Sequence, residues 1–122
     1  MTTPSSPASS GAGPALTVSV TEHDAVVTVT VAGELDVSTV PAFNKELSEL
    51  RQNSATTLVL DLSGTTFMDS TGLSAVLVSG MHARMRGQRF KVVAGPPHVN
   101  ELFKLTGVDN FLEVVGPEDD AL

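Results

Sequence analysis

Leu58-Val59-Leu60-Asp61-Leu62 is a nearly continuous apolar run lying between two stretches with helical spacing. A strand of that composition has to be flanked by other strands or covered on its faces. Upstream, Val40, Phe43, Leu47 and Leu50 recur at helical intervals, which predicts an amphipathic helix from about Thr39 to Arg51. Ser38 or Thr39 can cap it, and Pro41 fits the first turn, where its missing N–H costs nothing. Downstream, Leu73, Val76, Leu77 and Met81 predict a second helix, from Ser70 or Thr71 to Met85, with Gly87 placed to end it.

The rest of the chain extends this alternation in both directions. Leu16 to Val20 and Val26 to Val31 alternate apolar and polar residues, so they read as two half-buried strands joined by a turn at Glu22-His23-Asp24. Phe90 to Ala94 reads as a further strand. Pro96-Pro97 opens a third helix carrying Val99, Leu102 and Phe103, Gly107 lies past its end, and Phe111 to Val115 reads as a last edge strand. The predicted order is β-β-α-β-α-β-α-β. It implies an α/β fold with one mixed sheet, an N-terminal hairpin followed by parallel strands, and helices packed over it through right-handed crossovers.

The 122 residues suit a single domain. Residues 1–14 carry no charged side chain and no apolar periodicity, so a disordered N-terminal tail is expected there. The domain then spans residues 15–116, and residues 117–122, with Glu118, Asp119 and Asp120, form an acidic C-terminal tail. Deleting residues 1–14 is expected to leave the melting temperature unchanged; a clear drop in a calorimetric scan would show that segment to be ordered.

Cysteine is absent, which removes disulfide and thiolate chemistry. The N-terminus lacks the basic and apolar regions of a signal peptide, and no stretch approaches the ~20 apolar residues that cross a bilayer. A cytoplasmic protein is expected, without a membrane role. The net charge of −7, from 14 acidic and 7 basic residues, disfavours nucleic acid as a partner. The one basic cluster, Arg84, Arg86, Arg89 and Lys91, reads as cations offsetting a helix C-terminus.

Chemistry concentrates at Phe67-Met68-Asp69-Ser70-Thr71-Gly72-Leu73, where a strand hands over to a helix. Unpaired N–H groups at a helix N-terminus favour an anion. A serine there can cap the helix, act as a nucleophile or receive a phosphate. Asp69, Ser70 and Thr71 are three capping-type residues in succession where one suffices. Met68 and Leu73 flank them, which predicts polar groups beside an apolar rim, as on a partner-binding surface. The nucleophile reading is weak, because an elbow needs Gly-x-Ser-x-Gly and this chain has Met68-Asp69-Ser70-Thr71-Gly72. His23, His82 and His98 fall at a turn, a helix flank and a helix start, so none reads as its base, and no enzyme is expected. Asp61 and Asp69 lack the further acids and the loop lysine of a phosphoaspartate receiver. Metal-ligand spacing is absent and no metal or cofactor is expected; a weak nucleotide-binding module is a further rival reading that no phosphate-binding loop supports.

Gly33-Glu34-Leu35-Asp36, Asp61-Leu62-Ser63, the run Phe67 to Leu73, and Val99 to Val108 together resemble the STAS-domain anti-sigma factor antagonists of bacteria. The resemblance covers about Leu16 to Val115. It implies a single STAS-like domain that takes part in partner switching. Unphosphorylated, such a protein binds an anti-sigma factor that is also a serine kinase, and so releases the sigma factor. The kinase phosphorylates the serine after the motif aspartate, which abolishes binding, and a PP2C-type phosphatase reverses the step. Carried onto this chain, the phosphorylation site is Ser70, with Thr71 a minor acceptor. Asp69, Thr71 and Gly72 shape the loop, and Asp36 lies on the nearby partner-binding surface. A monomer is expected. The alternative is a STAS subunit of another assembly, stressosome-like or a lipid-transport accessory.

Overall fold

A computed structural model describes residues 15–50 and 54–116. Its elements follow the predicted order: β1 (Leu16–His23), β2 (Val26–Leu35), α1 (Val40–Ser48), β3 (Thr57–Met68), α2 (Ser70–Met85), β4 (Arg89–Val93), α3 (Pro97–Thr106), a 3-10 turn (Val108–Asn110) and β5 (Glu113–Val115). The five strands form one sheet in the order β1-β2-β3-β4-β5. β1 and β2 pair antiparallel; β3, β4 and β5 then add in parallel. This is the mixed α/β architecture that the alternation implied. The expected tails, residues 1–14 and 117–122, lie outside the described residues, as does Arg51 at the expected end of α1.

The strand period of two explains the layering. Val27, Val29 and Val31 of β2, Leu58, Leu60 and Leu62 of β3, and Phe90 and Val92 of β4 point to one face. There they join Phe43 of α1, Val76 of α2, and Val99 and Phe103 of α3 in a single core. Residues alternating to the other face, such as Thr17, Ser19, Thr28 and Thr30, are polar. α2 ends in a paired C-terminal closure: the N–H of Gln88 donates to the carbonyl of Ala83 and that of Gly87 to Arg84. Gly87 takes the left-handed conformation this requires, at φ 80°.

Several boundaries differ from the sequence reading. The hairpin turn is Asp24-Ala25, because β1 runs through His23, which pairs with Val26. Asp24 takes a left-handed φ of 55°, which an aspartate tolerates. β2 runs on to Leu35 rather than ending near Val31. α1 stops at Ser48, and β4 runs from Arg89 to Val93 rather than Phe90 to Ala94. Only Glu113 to Val115 pair as β5, while Phe111 stands in the preceding turn.

The largest difference is β3, which extends past Leu62 to Met68. Ser63-Gly64-Thr65-Thr66 has loop-like composition, yet it pairs with the end of β2. Register shifts lie between Thr30 and Ala32 and between Gly33 and Glu34. Each shift adds a residue on the β3 side and bends the strand, so β2 and β3 finish together, Leu35 opposite Met68. The loops that follow them are therefore neighbours. Leu16 pairs with Gly33 and Val115 with Val93, so the chain enters β1 and leaves β5 at this same end of the sheet.

Candidate functional site

Two loops meet at the carboxyl ends of β2 and β3, and the Asp69 side chain joins them. Asp69 is the N-cap of α2, in extended conformation, and its Oδ1 accepts the Gly72 N–H at 2.9 Å. Its Oδ2 accepts the Val37 N–H of the β2–α1 loop at 3.3 Å. One carboxylate thus satisfies a donor on each loop and fixes their separation. Asp69→Ala should lose the cap, worth about 1 kcal/mol, and free the Val37 amide. A fall in melting temperature of roughly 4–8 °C per kcal/mol is expected for a domain near this size, read by circular dichroism.

The β2–α1 loop is held from within by Asp36. Its Oδ1 accepts from the Ser38 hydroxyl at 2.7 Å, the Ser38 N–H at 3.0 Å and the Thr39 N–H at 3.3 Å. The Ser38 hydroxyl, more than the opposing effect of burial, holds the Asp36 carboxyl below its ordinary range, with the two amides adding to the shift. The stability this lends is present above the ordinary carboxylate range and fades as pH falls through the lowered value. Thr39 stands at the N-cap of α1 but makes no side-chain cap. Its buried hydroxyl turns back to the strand, donating to the Glu34 carbonyl at 2.8 Å and accepting the Asp36 N–H at 2.9 Å.

Ser70 is the first residue of α2 and is exposed; Thr71 is half-buried. Among the described residues neither hydroxyl has a hydrogen-bond partner, and the Ser70 and Thr71 amides have no acceptor. Gly72 is buried beneath them. A Cβ there would lie 2.2 Å from the Leu35 carbonyl oxygen and 3.0 Å from Met68 Cγ, so glycine lets the helix start close against β2. Gly72 therefore faces the fold, and its influence on any partner is indirect.

The apolar rim differs from expectation. Met68 and Leu73 are 7% and 6% exposed and belong to the core, because the longer β3 turns Met68 inward. The exposed apolar residues at this end are Val37 (68%) and Phe67 (47%). Val37 carried one sequence signal, an apolar side chain inside the polar turn Asp36 to Thr39. His98 also reaches this end, its Nε2 donating to the Thr66 carbonyl at 2.7 Å, which ties α3 to the end of β3. No sequence signal pointed to that link. His23 lies beside Asp24 in the distant hairpin turn. The described residues hold no cluster of acids and histidines suited to a metal, and no helix among them is long and apolar enough to cross a membrane.

With the geometry in view, comparison with known proteins gives consistent likenesses. Residues 18–115 match the family model described as "Mlab, STAS domain". The anti-sigma-F factor antagonist RsfB of Mycobacterium tuberculosis (strain CDC 1551 / Oshkosh) is 30% identical over 107 residues, covering 88% of this chain and 87% of that protein. The anti-sigma-B factor antagonist of Staphylococcus aureus (strain NCTC 8325 / PS 47) is 28% identical over 99 residues, 81% of this chain and 92% of that one. Among solved structures, an anti-sigma factor antagonist from Mycobacterium paratuberculosis superposes with a TM-score of 0.74 at 32% identity, over 81% of this chain and 84% of that one. Unphosphorylated SpoIIAA gives 0.68 at 22% identity, over 84% and 90%, a likeness of fold.

Proposed function

The chain belongs to the STAS-domain family of anti-sigma factor antagonists, and from that premise we propose that it works as a phosphorylation-controlled antagonist. Unphosphorylated, it binds an anti-sigma factor that is also a serine kinase, and the sigma factor is released. The kinase passes the γ-phosphoryl group of its ATP to Ser70 Oγ; ADP leaves, the hydroxyl proton is lost, and the complex parts. A PP2C-type phosphatase hydrolyses the ester with water and restores the free hydroxyl. The chain itself is a binding module in this cycle and performs no chemistry.

The observation that carries the reading is the setting of Ser70, exposed at the start of α2, with a free hydroxyl and with Val37 and Phe67 exposed at the same end of the sheet. A hydroxyl so placed is open to a kinase. A phosphate there is compatible with the fold, because free amides and the helix dipole favour an anion. At a closed interface the same group must give up water close to Asp69. Phosphorylation adds about −1.5 to −2 charges, and an unpaired buried charge costs several kcal/mol. Asp36 and Asp69 contribute by holding the two loops in register, and Thr71 is the minor acceptor.

Pull-down with wild type and Ser70→Asp baits, followed by mass spectrometry of partners and phosphosites, tests the reading. A serine kinase recovered with wild type alone, and Ser70 phosphorylated in its presence, is the expected result. Recovery of the same partner with both baits would exclude the switch. The rival reading is a STAS subunit of another assembly, stressosome-like or a lipid-transport accessory, since the matching family model describes a STAS domain alone. That role gives an association that outlasts any change at Ser70.

A further inference from the structure

Helix α2 is apolar around most of its circumference. Leu73, Val76, Gly80 and Ala83 face the core, and Gly80 sits so close to the sheet that a Cβ would lie 2.9 Å from the Phe90 ring. The outward side carries Ser70, Ser74, Val78, Met81 and Met85, each three or four residues from the last, so all lie on one face. Val78 is 45% exposed, Met81 54% and Met85 82%. Phe111, 65% exposed, stands beside them, its carbonyl accepting from Arg84 Nη2 at 2.7 Å. A helix apolar on nearly all sides belongs inside a larger packing arrangement. Here one flank of that enclosure is missing.

We propose that the outward stripe Val78-Met81-Met85, with Phe111, docks an amphipathic helix with acidic flanks, belonging to the same anti-sigma kinase that meets Ser70. The inference rests on the proposed function and extends its surface. Continuity is one argument. At 1.5 Å rise per residue, Val78 to Met85 lie about 12 to 22 Å along the axis from Ser70, so a single partner covers both ends of the helix. Charge is the second. α2 contains no acid, while His82, Arg84 and Arg86 are exposed near its end. Arg89 is paired with Glu113 at 2.8 Å. Arg84 and Arg86 donate only to uncharged oxygens, of Phe111 and Gln88, and have no carboxylate partner among the described residues. In a chain with twice as many acids as bases, this is a local surplus that calls for carboxylates from outside.

The same charges oppose a symmetric pair of these chains, since an isologous contact on this stripe sets arginines near arginines. Size argues against a small molecule. The groove between Leu77, Met81, Arg84 and Phe111 holds about 250 Å³, below the ~300–1,000 Å³ of ligand pockets. It suits one large side chain of a docked helix, and methionines adapt readily to such a partner.

The test measures binding of the purified kinase from the pull-down, by titration calorimetry, to wild type, Met81→Glu/Met85→Glu, Arg84→Glu and Ser70→Asp. Both stripe variants should bind at least tenfold more weakly, with melting temperatures near wild type because these side chains are exposed. Stripe variants that bind within twofold of wild type, while Ser70→Asp still fails to bind, would overturn the stripe and leave the switch standing. Weakened stripe variants beside an unaffected Ser70→Asp would do the reverse. A wild-type dimer in sedimentation equilibrium that Met81→Glu/Met85→Glu splits would give the surface to a second copy. Shifts in α2 amide resonances on deleting residues 117–122, with kinase binding insensitive to the stripe, would give it to the chain's own acidic tail.

Discussion

Ser70→Asp is expected to bind the anti-sigma kinase at least a hundredfold more weakly than wild type while melting within a few degrees of it. The two halves of that result have separate causes. Within the domain, a carboxylate at the first position of α2 faces unpaired amides and the positive end of the helix, where an anion is worth roughly 0.3–1 kcal/mol. The fold therefore tolerates the change. Across a closed interface, the carboxylate would be stripped of water in a chain already carrying −7. A penalty of about 3 kcal/mol, within the range for an uncompensated buried charge, corresponds to slightly more than a hundredfold at 1.4 kcal/mol per decade. Ser70→Ala is the counterpart: it holds the complex in the presence of kinase and ATP, since there is no hydroxyl to modify. Calorimetric titration checks both, and equal affinity of Ser70→Asp and wild type would remove the electrostatic basis of the switch.

Gly72→Ala should cost the fold far more than either change at Ser70. The added methyl would sit 2.2 Å from the Leu35 carbonyl oxygen and 3.0 Å from the Leu35 carbonyl carbon. Both belong to backbone paired in the sheet, so no flexible side chain can move to make room. Relief requires α2 to lift from β2, and Asp69, carried with the helix it caps, then draws its Oδ2 away from the Val37 amide. Overpacking of this kind costs about 1–3 kcal/mol, and loss of the hydrogen bond to the Val37 amide adds about 1. The melting temperature should fall by roughly 8–32 °C, taking 4–8 °C per kcal/mol. Gly72→Val should be worse, because a β-branched side chain adds bulk at the same contact. A thermal scan of Gly72→Ala within 2 °C of wild type would show that the helix start yields more easily than its contacts imply.

Local chemistry was legible at several points. The cap at Asp69, the glycine ending α2 and the alternation of valines in β1 and β2 each depend on residues a few positions apart, and the sequence displays them directly. The second half of β3 was hidden. Ser63-Gly64-Thr65-Thr66 reads as a loop by composition and becomes strand only because β2 lies beside it. Thr65 is fully buried there, its hydroxyl 3.4 Å from the Val31 carbonyl. That pairing, with its register shifts, also decides which apolar residues face out. Met68 and Leu73 turn into the core, leaving Val37 and Phe67 at the surface. Asp36 entered the sequence reading through family resemblance alone. Its physical tie to Asp69 runs through the Val37 amide, across more than thirty residues of chain, beyond the reach of any periodicity.

The direction of the outer strands has a practical consequence for the experiments above. Ala15 precedes a strand that begins opposite Gly33, and Gly116 follows one that ends opposite Val93. An affinity tag or fusion partner joined directly before Ala15 or after Gly116 would start from the end of the sheet that holds Ser70. It could shield the serine from a kinase and imitate the loss of binding expected of the phosphorylated form. The Asp24-Ala25 turn lies at the opposite end of β1 and β2, with the Asp24 side chain 88% exposed. A cysteine placed there, the only thiol in the chain, would tether the bait with its reactive end outward.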